Sequence, residues 1–213
     1  MARRSAFERT GWGTRRVGSV DRLISENRVL REKVRALSAY RDLAYRDHLT
    51  GLYNRRLFDE RMAEELERAQ RADGRLALAI IDLDNFKLVN DLAGHAAGDL
   101  LLREVGGLLR AAQRRCDVAC RLGGDEFALI FPATGRRGAE RVLGRVRADL
   151  AEKALGGPRG VGEGDAFAAA GALPPLSLSA GISSYPSDGK SVEDLWRIAD
   201  GRMYAEKRTH HRA

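Results

Sequence analysis

Four carboxylates stand in two short clusters. Asp82 and Asp84 lie at the end of an apolar run, and Asp125 and Glu126 directly follow Gly123 and Gly124. The run LALAIIDLDNFK reads as a buried strand that delivers Asp82-Leu83-Asp84 at its carboxyl end, where α/β folds usually place ligands. Strand alternation puts Asp82 and Asp84 on the same side. Like charges that close are costly unless a cation or hydrogen bonds compensate them. A divalent cation, Mg²⁺ or Mn²⁺, suits carboxylate oxygens, and Mg²⁺ keeps room for phosphate ligands. The competing role for Asp84, or for Asn85, is to cap the following turn. Gly123 and Gly124 permit positive φ at a hairpin tip and let a ligand come close to the backbone. A Gly-Gly-Asp turn alone is a common hairpin. Two acidic clusters on adjacent strands are what two-metal nucleotidyl transfer requires.

Between the clusters runs FKLVNDLAGHAAGD, residues 86–99. Phe86 opens this candidate substrate-binding stretch. Backbone amides after the strand end, together with Lys87, are suited to phosphate oxygens. Asn90 and Asp99 offer donors and acceptors for a purine edge, and a carboxylate matches the N1–H and exocyclic amine of guanine. His95 reads as a structural hydrogen-bonding residue, because nothing nearby resembles a nucleophile for it to activate.

Alternating helices and strands must position these groups. The patterns predict helices over Leu57–Arg71, Gly98–Ala112, Gly138–Lys153 and Ser191–Lys207, the last with Ser191 as N-cap and Asp194 three residues on. Strands are predicted over Leu76–Leu83, Asp117–Arg121, Phe127–Phe131 and Leu176–Ser183, the middle two forming a hairpin. Residues 156–175, rich in Gly, Ala and Pro, read as a long loop. The expected fold is an α/β sandwich with helices around a central sheet.

The 213 residues leave room for one full-sized domain and an appendage. Residues 1–46 hold twelve Arg/Lys against five Asp/Glu, which accounts for the whole net charge of +7. Such an arm can touch nucleic acid or an anionic membrane, but a solvated face is the preferred reading. Residues 1–19 lack periodicity and read as disordered. Residues 20–46 carry heptads, with Leu23, Leu30, Leu37 and Ala44 at d and Val20, Asn27, Val34 and Arg41 at a. Val at a, Leu at d and a single Asn at a favour a parallel dimeric coiled coil, with Glu26 able to reach Arg31 of the partner. The simpler alternative is one amphipathic helix packed on its own domain. Cys116 and Cys120 lack metal-site spacing and read as small buried hydrophobes. No signal peptide or membrane-spanning stretch is evident, so the expected compartment is the cytoplasm.

Six segments in order carry a resemblance: DHLTGLYNRR at 47–56, DLDNFKLVND at 82–91, GHAAGD at 94–99, RLGGDEF at 121–127, SAGIS at 179–183 and ADGRMYAEK at 199–207. Over 47–213 the chain resembles the GGDEF-domain diguanylate cyclases, enzymes that join two GTP into cyclic di-GMP. The resemblance implies the nucleotidyl-cyclase, palm-like form of the sandwich. It implies that Asp82, the Leu83 carbonyl and Asp125 bind Mg²⁺, assisted by Glu126. It also implies that Asn90 and Asp99 read guanine and that Lys87 and Lys207 contact the triphosphate. Asp125 or Glu126 would ease deprotonation of the ribose 3′-OH. Because each domain of the family holds one GTP, two must face each other, and the coiled coil would supply that homodimer. Arg114 and Asp117, an Arg-x-x-Asp just before the signature, match the family's product-binding inhibitory site. After Lys207 the family's usual Gly-Arg-Asn tail is replaced by RTHHR, so a terminal phosphate contact is either missing or supplied by Arg212. Three rival readings stand beside this one. A turnover-dead cyclic di-GMP receptor conflicts with the intact acidic set, and Asp99 disfavours a mixed-purine product. Nucleic-acid binding rests on the basic arm alone.

Overall fold

The computed structural model describes residues 12–156 and 176–210, with side chains at 12–21, 36–39, 41–43 and 154–156 excluded. The first eleven residues of the expected disordered arm, nearly all of the 156–175 loop, and Arg212 lie outside the described residues. The chain divides into two units between Ala44 and Tyr45. The described residues of the first unit lie in one helix, α1 (Trp12–Tyr45), which starts eight residues before the expected heptads.

The second unit runs α2 (Arg55–Arg71), β1 (Leu76–Leu83), α3 (Phe86–Ala93), α4 (His95–Ala112), β2 (Val118–Gly123), β3 (Glu126–Pro132), α5 (Arg136–Gly156), β4 (Leu178–Tyr185) and α6 (Val192–His210). The four strands form one sheet in the order β2-β3-β1-β4, antiparallel at every pairing. β1 is central and buried along its whole length, as its unbroken apolar run predicts.

Strand alternation divides the core. Ala77, Ala79, Ile81 and Leu83 face α3, α4 and α5, while Leu76, Leu78 and Ile80 face α2 and α6. Asp82, next in the even series, therefore belongs to the α2/α6 side. α6 approaches the sheet closely at Gly181, where a Cβ would stand 1.9 Å from the Ala199 carbonyl oxygen. Only glycine fits there.

Several element ends differ from the pattern-based bounds for identifiable reasons. α2 begins at Arg55 because the Asn54 side chain accepts from Leu57 N at 3.2 Å, an N-cap that apolar periodicity does not register. The stretch after β1 is itself a helix, α3, ended by Gly94 at φ 82°, and α4 starts at His95, three residues before Gly98. Ser191 caps α6 as expected, its Oγ accepting from Asp194 N at 3.1 Å.

Candidate active site

The sheet register assembles the acidic groups. Asp82 lies opposite Glu126 of β3 on one side and Ser179 of β4 on the other. Leu83 N donates to the Asp125 carbonyl at 3.3 Å, which holds the hairpin tip against the end of β1. Asp82 Oδ1 receives Lys207 Nζ from α6 at 2.5 Å. The side-chain partner of Asp82 is thus the lysine that the sequence placed 125 residues away.

Charge is concentrated here. Burial, with Asp125 and Asp84 beside it, pushes the Asp82 carboxyl above its ordinary range despite Lys207. Glu126 is likewise raised, by burial first and then by Asp82 and Asp125. Burial works to lower the Lys207 ammonium, but its bond to Asp82 and the nearby Asp125 and Asp84 outweigh burial and raise it. Among the described residues no three His, Cys, Asp or Glu side chains converge closely enough to hold a metal ion. The donor types themselves, carboxylates with a backbone carbonyl, fit a hard divalent cation, and their mutual repulsion is what such a cation relieves.

Asp84 points to the same side as Asp82 but does different work. It is buried, and neither Asp84 nor Asn85 caps α3 with its side chain: Asn85 sits in the left-handed region at φ 58° without a capping bond. Asp84 instead accepts from Ser177 Oγ and Ser179 Oγ, both at 2.6 Å, and pairs with His210 Nδ1 at 2.8 Å. Burial alone would raise its carboxyl; the two hydroxyls and His210 lower it. With its oxygens so engaged, Asp84 is an anchor.

The candidate nucleotide-reading residues sit on α3 and α4, which pack on the opposite face of the sheet. Phe86 and Lys87 open α3, with Phe86 half-buried against the core and Lys87 exposed. Asn90 is half-buried in α3, and Asp99 is exposed in α4. Gly98 is the unforeseen member: a Cβ there would stand 2.0 Å from Asn90 Oδ1 and 3.2 Å from Phe86 Cζ. Its bareness lets the Asn90 carboxamide and the Phe86 ring lie against α4.

Gly123 and Gly124, at φ 148° and 53°, form the exposed hairpin tip. The tip is held by Arg121, whose Nε and Nη2 donate to the Gly124 carbonyl at 3.0 and 2.8 Å. Arg121 Nη1 also meets both Asp47 oxygens at 3.2 Å, and Asp47 accepts from Thr50 N and Oγ1. Both residues lie within segments that carry the resemblance, yet spacing alone gave neither a role. Arg114 and Asp117 bracket the turn from α4 to β2. Asp117 is buried and accepts from Arg114 N at 2.8 Å, while the Arg114 residue is exposed. Cys116 is exposed and Cys120 buried, so the expectation of burial holds for Cys120 only.

An antiparallel sheet flanked by helices on both faces, with acidic groups at one strand end beside a Gly-Gly tip, defines a class of protein. The family described as diguanylate cyclase, GGDEF domain, matches residues 44–213, and the chain belongs to it. It is 38% identical over 169 residues to the bifunctional diguanylate cyclase/cyclic di-GMP phosphodiesterase MucR of Pseudomonas aeruginosa, covering 78% of this chain and 22% of that protein. It is 36% identical over 172 residues to the diguanylate cyclase DgcP of the same organism, covering 81% and 24%. The chain thus spans about a quarter or less of the length of these relatives. Among solved structures, the diguanylate cyclase SiaD of Pseudomonas aeruginosa in complex with its activator SiaC superposes with a TM-score of 0.72. It is 32% identical, covering 92% of this chain and 70% of that one. The coiled coil and GGDEF domain of DgcB from Caulobacter crescentus, in complex with c-di-GMP, gives 0.71 at 27% identity, covering 90% and 95%.

Proposed function

We propose that this chain is a diguanylate cyclase that condenses two GTP into cyclic di-GMP and two pyrophosphates. The observation that carries the reading is the intact acidic row, Glu126 opposite Asp82 with Lys207 from α6 on Asp82. In each half-reaction the 3′-oxygen of one GTP bonds to the α-phosphorus of the other as the bond to pyrophosphate breaks. Glu126 or Asp125 accepts the hydroxyl proton, and the raised carboxyl of Glu126 suits it as a base. Asp82, the Leu83 carbonyl, Asp125 and Glu126 would hold Mg²⁺ or Mn²⁺, which supplies charge neutralisation at the triphosphate. Lys87 and Lys207 bind phosphate oxygens, and Asn90 and Asp99 read the guanine edge.

Two copies are needed, because each domain supplies one nucleotide. The heptad residues of α1 support this: Leu23 and Leu30 are 63 and 60% exposed in the single chain, as coiled-coil d positions are before pairing. Arg114 and Asp117 form the product-binding inhibitory site, with the exposed guanidinium suited to phosphate and guanine. No helix among the described residues is long and apolar enough to cross a membrane.

Incubation of the purified chain with GTP and Mg²⁺, with nucleotides separated by chromatography, tests the reading. Cyclic di-GMP with pyrophosphate is the expected outcome. Absence of product from dimeric protein stripped of bound cyclic di-GMP would leave a receptor in place of an enzyme.

A further inference from the structure

His210 takes no part in the proposed chemistry, yet it closes the best-satisfied buried polar cluster at the end of β1. Lys207 and His210 are three residues apart on one face of α6, and Asp82 and Asp84 are two apart on one side of the strand end. Two clasps result: Lys207 Nζ on Asp82 Oδ1 at 2.5 Å, and His210 Nδ1 on Asp84 Oδ2 at 2.8 Å. The side chain of Asp84 is 0% exposed, and that of His210 is 39% exposed. A carboxylate only accepts, so His210 Nδ1 carries the proton. Ser179 gives its one hydroxyl proton to Asp84 Oδ1, which leaves its oxygen to accept from the same Nδ1 at 3.2 Å.

We propose that His210 is a positioning residue for nucleotide binding: by tying the last turn of α6 to Asp84, it sets Lys207 where the triphosphate is met. The inference rests on the GTP-binding reading of the same site. A helix's last turn leaves its carbonyls without partners and frays, and Lys207 lies in that turn. A lysine is a flexible point charge whose ordering costs entropy, so its stem must be fixed from outside. Asp84 can fix it, because Ser177 and Ser179 hold the carboxylate from β4 and its approach.

The test is calorimetric titration of a non-hydrolysable GTP analogue, with Mg²⁺, into the full chain and its variants, each checked for folding by circular dichroism. His210→Ala weakens binding by about five- to tenfold, the scale of one ordering hydrogen bond to a charged group. His210→Asn, whose Nδ2 stands in the place of Nδ1, restores affinity to within about twofold. In a Lys207→Ala background, His210→Ala causes no further loss. His210→Ser, too short to reach Asp84, repeats the loss and guards against a defect peculiar to alanine. Unchanged affinity in His210→Ala and His210→Ser, or an equal loss with and without Lys207, overturns the positioning role. A wild-type chain that fails to bind the analogue overturns the GTP reading and this inference with it; one that binds it, unaffected by His210→Ala, overturns this inference alone.

Discussion

Asp82 and Glu126 are held where their charges oppose each other, and that opposition has a measurable cost. The folded-state carboxyl of Glu126 lies above its ordinary value, so the metal-free fold binds that proton more tightly than the unfolded chain. Its contribution to stability is therefore fully present at low pH and declines as pH climbs through the raised folded value. Glu126→Gln removes the repulsion. In the absence of divalent cation at pH 7 it is expected to melt above wild type by calorimetry, while cyclic di-GMP formation falls by about 10²–10⁴-fold, the scale of a lost general base. Gly98 makes a second prediction at this scale. Gly98→Ala drives a methyl into the space of Asn90 Oδ1. Binding of a GTP analogue is expected to weaken by about tenfold by calorimetry, the cost of displacing the one hydrogen bond to the base that is proposed for Asn90, with overall helicity retained.

At the scale of elements, the site depends on how α6 is fixed to β4. Asp188, in the connection between them, accepts from Ser184 N at 2.8 Å and from Arg202 Nη2 at 2.7 Å. Arg202 Nη1 also donates to the Ile182 carbonyl at 2.6 Å. The bond from Arg202, more than any other cause, holds the Asp188 carboxyl below its ordinary 3.8. Its stabilising contribution is present above that value and is lost as pH falls through the lower folded one. Asp188→Asn is expected to cost about 1–2 kcal/mol in denaturant unfolding at pH 7, and the gap from wild type narrows at pH 3. Gly181 serves the same junction sterically, since any side chain there would strike the backbone of α6.

At the scale of the whole molecule, the proposed function calls for two copies and for a product that acts back on them. Leu23→Glu with Leu30→Glu places charge at two successive d positions. The doubly substituted chain is expected to run at monomeric mass in light scattering, and its rate per protein becomes steeply concentration-dependent. Arg114→Ala is expected to abolish the slowing of turnover as cyclic di-GMP accumulates. Progress curves that still slow in that variant would remove the inhibitory site.

The sequence by itself determined the class of fold, the central strand, the acidic hairpin tip and the family, because these are local. An unbroken apolar run, a Gly-Gly pair and short ordered motifs are legible without knowing what lies across the sheet. It also placed Asp82 and Asp84 on one side, since strand alternation is a property of the chain. Only the tertiary structure decided that Asp82 faces Lys207 while Asp84 is taken up by Ser177, Ser179 and His210. It alone showed that Gly98 makes room for Asn90 and that Arg121 joins Gly124 to Asp47. These are pairings between residues up to 126 apart. Their partners are fixed by sheet register and helix docking, and no periodicity within a segment encodes which distant side chain completes a hydrogen bond.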